Sequence, residues 1–298
     1  DKIKKDIPEI DLVFPHESEF DFLKFLYQHN KERIPENLVK TVDIQPFYGD
    51  LEINKYSEAG EIGAYRFWWK PNTIAGTVLS NRGCRARCTF CSVEFFNGKG
   101  VKGRTVVSVL DELEFIKDQY GVNHIMWLDD DLLFDKKRII ELFDGMVKRN
   151  LNMTWDASNG IIASAATEEV VDAAVKSGCI GMHIGIESGN SEILKYIRKP
   201  SGIKHFLKLG ETLRKYPQVF SKGFLIIGFP NETISQIRDT IDLATNMQLD
   251  WYTISLLSPL PSTAIYDQMV ELDLINPKEI VSKEINYGSM QTGLQKKR

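Results

Sequence analysis

The sequence is most easily bounded by what it lacks. None of its 298 residues belongs to an apolar run near the roughly 20 residues that a membrane-spanning helix needs. No apolar segment follows the charged start Asp1-Lys2-Ile3-Lys4-Lys5, so no secretory leader is readable. There is no excess of positive charge. Lys and Arg number 37 against 41 Asp and Glu, a net charge of −4, which argues against nucleic acid as a general partner. Cysteine is scarce, at four residues, and three of the four are clustered. That is not the pattern of a secreted disulfide framework and suggests a reducing, cytoplasmic setting. The first residue is Asp1 and not Met, which raises the expectation of a processed or partial polypeptide. Hydrophobic residues make up 43%, enough for one large α/β domain or two smaller ones.

From Thr73 onward apolar strands alternate with amphipathic helices, the pattern of a parallel sheet with crossover helices. Strands are expected at 73–79, 124–128, 153–157, 179–186, 220–228 and 251–257. Helices are expected at 106–120, 136–149, 168–177, 191–197, 203–215 and 234–247. Thr167 and Thr233 are the expected caps of their helices, Gly178 a stop, and Ser262 the opening of a final helix. Residues 1–45 read as an incomplete unit: a short strand within 7–14, then a helix capped by Ser18 that runs to about His29. Residues 46–72 read as a linker holding an aromatic cluster, Tyr65, Phe67, Trp68 and Trp69, placed by packing at the bottom of the sheet. The polar stretch 269–298 reads as a tail or the start of a further region.

The chemistry centres on Ser80-Asn81-Arg82-Gly83-Cys84-Arg85-Ala86-Arg87-Cys88-Thr89-Phe90-Cys91, which follows the first strand. Its cysteines are spaced Cys-x3-Cys-x2-Cys. Thiolates are soft ligands, and three on one short loop can converge on one metal centre. Three is one fewer than the four that complete a structural zinc or an ordinary iron–sulfur site. A four-iron cubane held by three cysteines leaves one iron open to a substrate or cofactor. A zinc knuckle, or a disulfide beside a free thiol, is the competing reading.

The loop resembles the cluster loop of the radical S-adenosylmethionine (radical SAM) enzymes, in its spacing and in the aromatic Phe90 before the last cysteine. The resemblance implies a partial (βα)6 barrel and a [4Fe-4S] cluster on Cys84, Cys88 and Cys91. It also implies S-adenosylmethionine (SAM) at the open iron, cleaved by an electron from the cluster to methionine and a 5'-deoxyadenosyl radical. A donor such as flavodoxin or ferredoxin would supply that electron. Pro8-Glu9-Ile10-Asp11-x-Val13, followed by Glu17-x-Glu19, resembles the end of the cobalamin-binding domain of many such enzymes. That points to the cobalamin-associated branch and to methyl or related group transfer, with no substrate readable. The Asp-x-His-x-x-Gly cobalt-ligand motif of such domains is absent from this sequence.

Ligands of parallel α/β barrels sit at the carboxyl ends of strands. The second strand is followed by Asp129-Asp130-Asp131, a run that usually faces solvent or a cation because like charges repel. The resemblance puts Asp129 and Asp130 near SAM, with magnesium binding the competing reading. The third strand is expected to end in Ser158-Asn159-Gly160, with Asn159 facing the ligand. Gly185-Ile186-Glu187-Ser188-Gly189 resembles the family's Gly-x-Glu-Ser-Gly segment and implies Glu187 and Ser188 near the ribose and methionyl groups. Arg198 or Lys199 is implied as partner of the cofactor carboxylate, with Arg198 preferred. In Ile226-Ile227-Gly228-Phe229-Pro230-Asn231-Glu232-Thr233, Ile226 flanks adenine by resemblance, Gly228 allows close approach, and Glu232 is structural. Leu257 and Pro259 are implied as further adenine contacts, although Ser262 stands where relatives carry glycine. His183 is read as a core histidine, and Cys179 as a buried residue at the wrong strand end for the cluster.

Overall fold

The computed structural model describes residues 4–5, 7–14, 18–33, 43, 45–49, 51–59 and 68–276. Its centre is a six-stranded parallel sheet of β1 (Ala75–Val78), β4 (His124–Trp127), β5 (Thr154–Ile161), β6 (Cys179–Glu187), β7 (Phe220–Ile227) and β8 (Trp251–Leu256), in that spatial order. Every strand lies beside its successor in the sheet, as right-handed helical crossovers favour. The crossovers are α4 (Val106–Tyr120), α5 (Lys136–Lys148), α6 (Glu168–Lys176), α7 (Ser191–Tyr196) with α8 (Ile203–Leu213), and α9 (Ile234–Met247). Among the described residues β1 and β8 have one strand partner each, so the sheet curls without closing. This is the α/β architecture of a partial barrel.

Local chemistry explains the helix boundaries. Thr105, Asp135 and Thr167 each accept a hydrogen bond from the backbone N–H three residues on, opening α4, α5 and α6. Thr233 and Gln236 form a reciprocal capping box at the start of α9. Helical spacing then buries one face of each helix on the sheet. Val109, Leu113 and Ile116 of α4, and Ile139, Leu142 and Phe143 of α5, are at most 1% exposed. Complete burial of one such side chain contributes about 1.5–3 kcal/mol.

Several expected boundaries shift. β5 runs to Ile161, so Ser158, Asn159 and Gly160 lie inside the strand, where a register irregularity between Ala157 and Ile161 bends it. The last helix, α10 (Ala264–Glu271), is capped by the Thr263 side chain and not by Ser262, and it runs past the expected core boundary at 268. The sequence reading also missed a small antiparallel pair, β2 (Asn81–Cys84) with β3 (Gly100–Gly103), and the short α3 (Val93–Asn97) between them.

The N-terminal part departs further. No strand forms in 7–14. Helix α1 (Glu19–His29) is present, but Ser18 makes no side-chain cap, because its own backbone is already helical. The expected linker contains α2 (Ile53–Ala59). It is tied to helix α4 through Tyr48, whose hydroxyl donates to Glu112 and whose carbonyl accepts from Tyr120 at 3.0 Å. Trp69 donates to Asp156 at 2.9 Å and lies against His124, while Trp68 stacks on Phe220 at 4.5 Å. His124 and Phe220 begin their strands, so these tryptophans close the amino-terminal end of the sheet by packing. Tyr65, Phe67 and 277–298 lie outside the described residues.

Candidate functional site

Cys84 ends β2, and the loop to Cys91 runs from there to α3. Gly83 makes the turn possible. Its φ is +85°, and a Cβ there would overlap the carbonyl oxygen of Gly100 across the strand pair. Arg85 anchors the loop with bonds to Asp131 at 2.9 Å, to the Phe134 carbonyl at 2.8 Å and to the Leu133 carbonyl at 3.0 Å. Thr89 bridges it to the end of α7 and the start of α10, its N–H donating to Ile197 and its carbonyl accepting from Ile265.

Held this way, Cys84, Cys88 and Cys91 line one side of a cavity of about 660 Å³ at the carboxyl ends of the strands. Burial pushes the Cys84 thiol up to about 12 and the Cys88 thiol up to about 11, and raises Cys91 in the same direction. The thiols also disfavour one another's ionisation, while Lys199 opposes that at Cys88 and Cys91. Three partly desolvated thiols whose pKa values are all raised need a cation to ionise together, which fits a metal centre. Among the described residues no three His, Cys, Asp or Glu side chains converge on one ion. Three thiols that share one side of a cavity without converging on a single ion suit a polynuclear cluster, in which each thiolate binds a different iron.

The opposite wall holds the expected polar residues in part. Asp130 lines the cavity and accepts from Asn97 of α3 at 2.8 Å, and burial raises its carboxyl. Asn159 lines it while donating to the Leu128 carbonyl at 3.0 Å. Phe90 and Arg198 line it as well. Glu187 faces it from the end of β6, where a register break replaces simple alternation and sets φ to +67°.

Asp129 is turned away. It is 1% exposed and accepts from the Ser80 N–H at 3.0 Å and hydroxyl at 2.5 Å. The expectation that the acidic run avoids the core fails for Asp129 and Asp131, because the buried Ser80 and the more exposed Arg85 supply them with partners. Ser188 is also turned away. It is fully buried, with its hydroxyl beside that of Thr240 at 3.3 Å, and it joins α7 to α9. Ile226, Gly228, Leu257 and Pro259 sit on or just past β7 and β8 but are not among the cavity's lining residues. Gly228 has a φ of +89°, and its N–H donates to Glu232 at 2.6 Å, so Glu232 braces that turn. His183 is a buried histidine bonded through Nδ1 to the Ser158 carbonyl at 3.1 Å. Cys179 is 2% exposed at the first position of β6, away from the cavity.

Two residues named from the sequence take a role that the sequence did not specify. Lys199, rather than Arg198, pairs with Glu187, at 2.8 Å, and both side chains are about nine-tenths buried. Burial works against the Lys199 charge, but Glu187 and the neighbouring thiols hold its pKa above the ordinary value. Ser262 lines the cavity at φ +71°, the left-handed conformation that glycine would adopt. No signal separates Lys199 from Arg198 in the sequence, because both follow α7 in a turn whose direction depends on packing.

A family model described as the Radical SAM superfamily matches residues 78–244. The chain is 29% identical over 243 residues to an uncharacterized methyltransferase of Pyrococcus horikoshii, covering 81% of this chain and 50% of that protein. It is 27% identical to the cytidylyl-2-hydroxyethylphosphonate methyltransferase of Streptomyces wedmorensis, covering 78% and 44%. Among solved structures, the cobalamin-dependent S-adenosylmethionine radical enzyme OxsB is similar at a TM-score of 0.69 and 17% identity, covering 98% of this chain and 49% of that one. The radical S-adenosylmethionine methyltransferase TsrM of Kitasatospora setae is similar at 0.61 and 21%, covering 66% and 39%. At these identities the two structures bear on the fold alone. The chain spans half or less of the length of the two methyltransferases it matches. It belongs to the radical SAM superfamily.

Proposed function

We propose that this chain is the catalytic barrel of a cobalamin-associated radical SAM enzyme that catalyses methyl transfer. The observation that carries the reading is the meeting of three loop thiols with Asp130, Asn159 and Glu187 around one cavity at the carboxyl ends of the strands. Cys84, Cys88 and Cys91 would hold a [4Fe-4S] cluster. Bound there, the cluster would deliver the electron that splits SAM into methionine and a 5'-deoxyadenosyl radical.

The chain's own residues give this centre its surroundings. Arg85 and Thr89 fix the loop's position, and the Lys199–Glu187 pair sets a charged wall beside Cys88. Asp130, Asn159 and Arg198 supply polar groups for the amino, hydroxyl and carboxylate groups of SAM. Ile226, Gly228, Leu257 and Pro259 are the proposed adenine side, reached from the strand ends that flank the cavity. Residues 1–45 are proposed as the edge of a cobalamin-binding unit. In support, Phe22 and Leu26 of α1 are 48% and 38% exposed, which leaves apolar surface for a neighbouring element. Two relatives being methyltransferases supports methyl transfer. A cytoplasmic setting with a flavodoxin or ferredoxin as reductant suits a thiol-held, reducible cluster. No described helix is long and apolar enough to cross a membrane.

The test is anaerobic reconstitution with iron and sulfide, reduction with dithionite, addition of SAM, and detection of 5'-deoxyadenosine by mass spectrometry. Product is expected from the wild type and none from Cys88→Ala. An intact cluster that yields no product would instead make the chain an iron–sulfur scaffold. Cobalamin binding by the longer polypeptide tests the branch separately.

A further inference from the structure

Radical chemistry in this cavity leaves Lys222 unexplained. Lys222 lies in β7, whose two faces have different surroundings. Phe224 lines the cavity, and the Lys222 ammonium stands 5.0 Å from the centre of its ring, so both project to the hollow side of the sheet. Ser221 and Gly223 face the other way. Ser221 bonds Asp250, and Gly223 packs under Tyr252, whose hydroxyl donates to the Ala244 carbonyl in α9.

Lys222 is partly buried beside Phe224 and is not itself among the residues that line the cavity; a partly desolvated charge gains from a carboxylate partner. Among the described residues Lys222 has none within ion-pair distance, and its one recorded partner is the Phe224 ring. Burial lowers its pKa with no counter-charge to offset it. The ring face stabilises the ammonium less than a buried carboxylate would.

The neighbour across the sheet is also incompletely satisfied. His183 pairs in register with Lys222. Its Nδ1 bonds the Ser158 carbonyl, which places the proton on that nitrogen, while the buried Nε2 has no hydrogen-bond partner. On the other side Lys222 pairs with Trp251 of β8, the edge strand, and Trp251 is 47% exposed. The position is therefore reachable from the open side of the sheet.

We propose that Lys222 is a substrate-positioning residue that binds an anionic group, a carboxylate or a phosphate, of a molecule whose flat apolar part rests on Phe224. This rests on reading the cavity as the reaction chamber. The anion would supply the charge that Lys222 lacks, and the substrate body would extend from there towards the cysteine side of the cavity. The site is distinct from the Glu187–Lys199 pair, whose lysine is already neutralised.

The test uses the 298-residue chain and ¹⁹F line broadening with 4-fluorobenzoate and 4-fluorophenyl phosphate, against the neutral isostere 4-fluorobenzamide. At least one acid should bind wild type about tenfold more tightly than the amide, as one charge-assisted contact predicts. Which acid prevails separates the carboxylate from the phosphate. The preference should vanish in Lys222→Met, persist in Lys222→Arg, and persist in the exposed-site control Lys204→Met. No preference in wild type, or a preference that survives in Lys222→Met, overturns the proposal. The experiment needs no cluster. An anion preference without 5'-deoxyadenosine formation would sink the proposed function, leaving an anion site with no reaction to serve, whereas 5'-deoxyadenosine without an anion preference would overturn this inference alone.

Discussion

The Glu187 carboxylate and the Lys199 ammonium meet at 2.8 Å directly over Gly185. A Cβ on Gly185 would lie 2.8 Å from the Lys199 nitrogen and 2.9 Å from the Glu187 oxygen. The pair thus depends on a missing side chain two residues before one of its members. Removing one partner leaves the other charge buried, a loss of about 3–5 kcal/mol where burial is complete. Lys199→Met and Glu187→Gln should each destabilise the chain by about 2–4 kcal/mol in urea unfolding. The double variant should lose less than the sum. Additive losses would mean that the pair is not coupled.

Iron content should separate the four cysteines. Cys84→Ala, Cys88→Ala and Cys91→Ala should each abolish a four-iron cluster after reconstitution. Cys179→Ala should retain it, at a stability cost of about 1 kcal/mol for a small cavity in the sheet layer. Full iron in Cys88→Ala would overturn the ligand assignment.

Ser262 occupies a left-handed conformation that costs a non-glycine residue on the order of 1 kcal/mol. Ser262→Gly should therefore stabilise the chain by about 0.5–1 kcal/mol, the entropy of the unfolded glycine offsetting part of the relief. Ser262→Val should destabilise it by more than that, because a β-branched residue tolerates positive φ poorly. Thermal unfolding of the two variants, with opposite signs, checks both.

Asp129 gives a pH dependence with a definite sign. Burial raises its carboxyl from 3.8 to about 6, with bonds from Ser80 acting in the other direction. Between about pH 4 and 6 the folded state therefore holds a proton that the unfolded state has released. Stability contributed by this group is present below its unfolded value and falls as pH rises to about 6. The loss is on the order of 1–3 kcal/mol. Asp129→Asn cannot titrate, so its unfolding free energy should decline less over that window. Parallel wild-type and variant curves would exclude the effect.

The alternating apolar strands and amphipathic helices after Thr73 carried most of the fold in the sequence itself. Period two and period 3.6 are local consequences of backbone geometry and need no tertiary information. The antiparallel β2–β3 pair was not legible. Asn81–Cys84 and Gly100–Gly103 carry three glycines and no apolar alternation, and they pair because the loop between them brings them together. The short strand expected in 7–14 did not form, since local propensity there lacks a neighbouring strand among the described residues.

The sequence alone determined the chemistry of the cluster loop. Three soft ligands within eight residues limit what the loop can hold wherever the rest of the chain goes. It also determined which strand ends carry polar residues. Only the tertiary structure decided which of those residues face the cavity. Asp129 and Asp130 are adjacent, yet Ser80 draws one into the core and Asn97 holds the other at the cavity wall. Arg198 and Lys199 are adjacent, yet only Lys199 reaches Glu187, because β6 breaks register before that residue and Gly185 leaves room. Residue type is a local property, whereas direction is set by partners dozens of residues away and by the packing that brings them near.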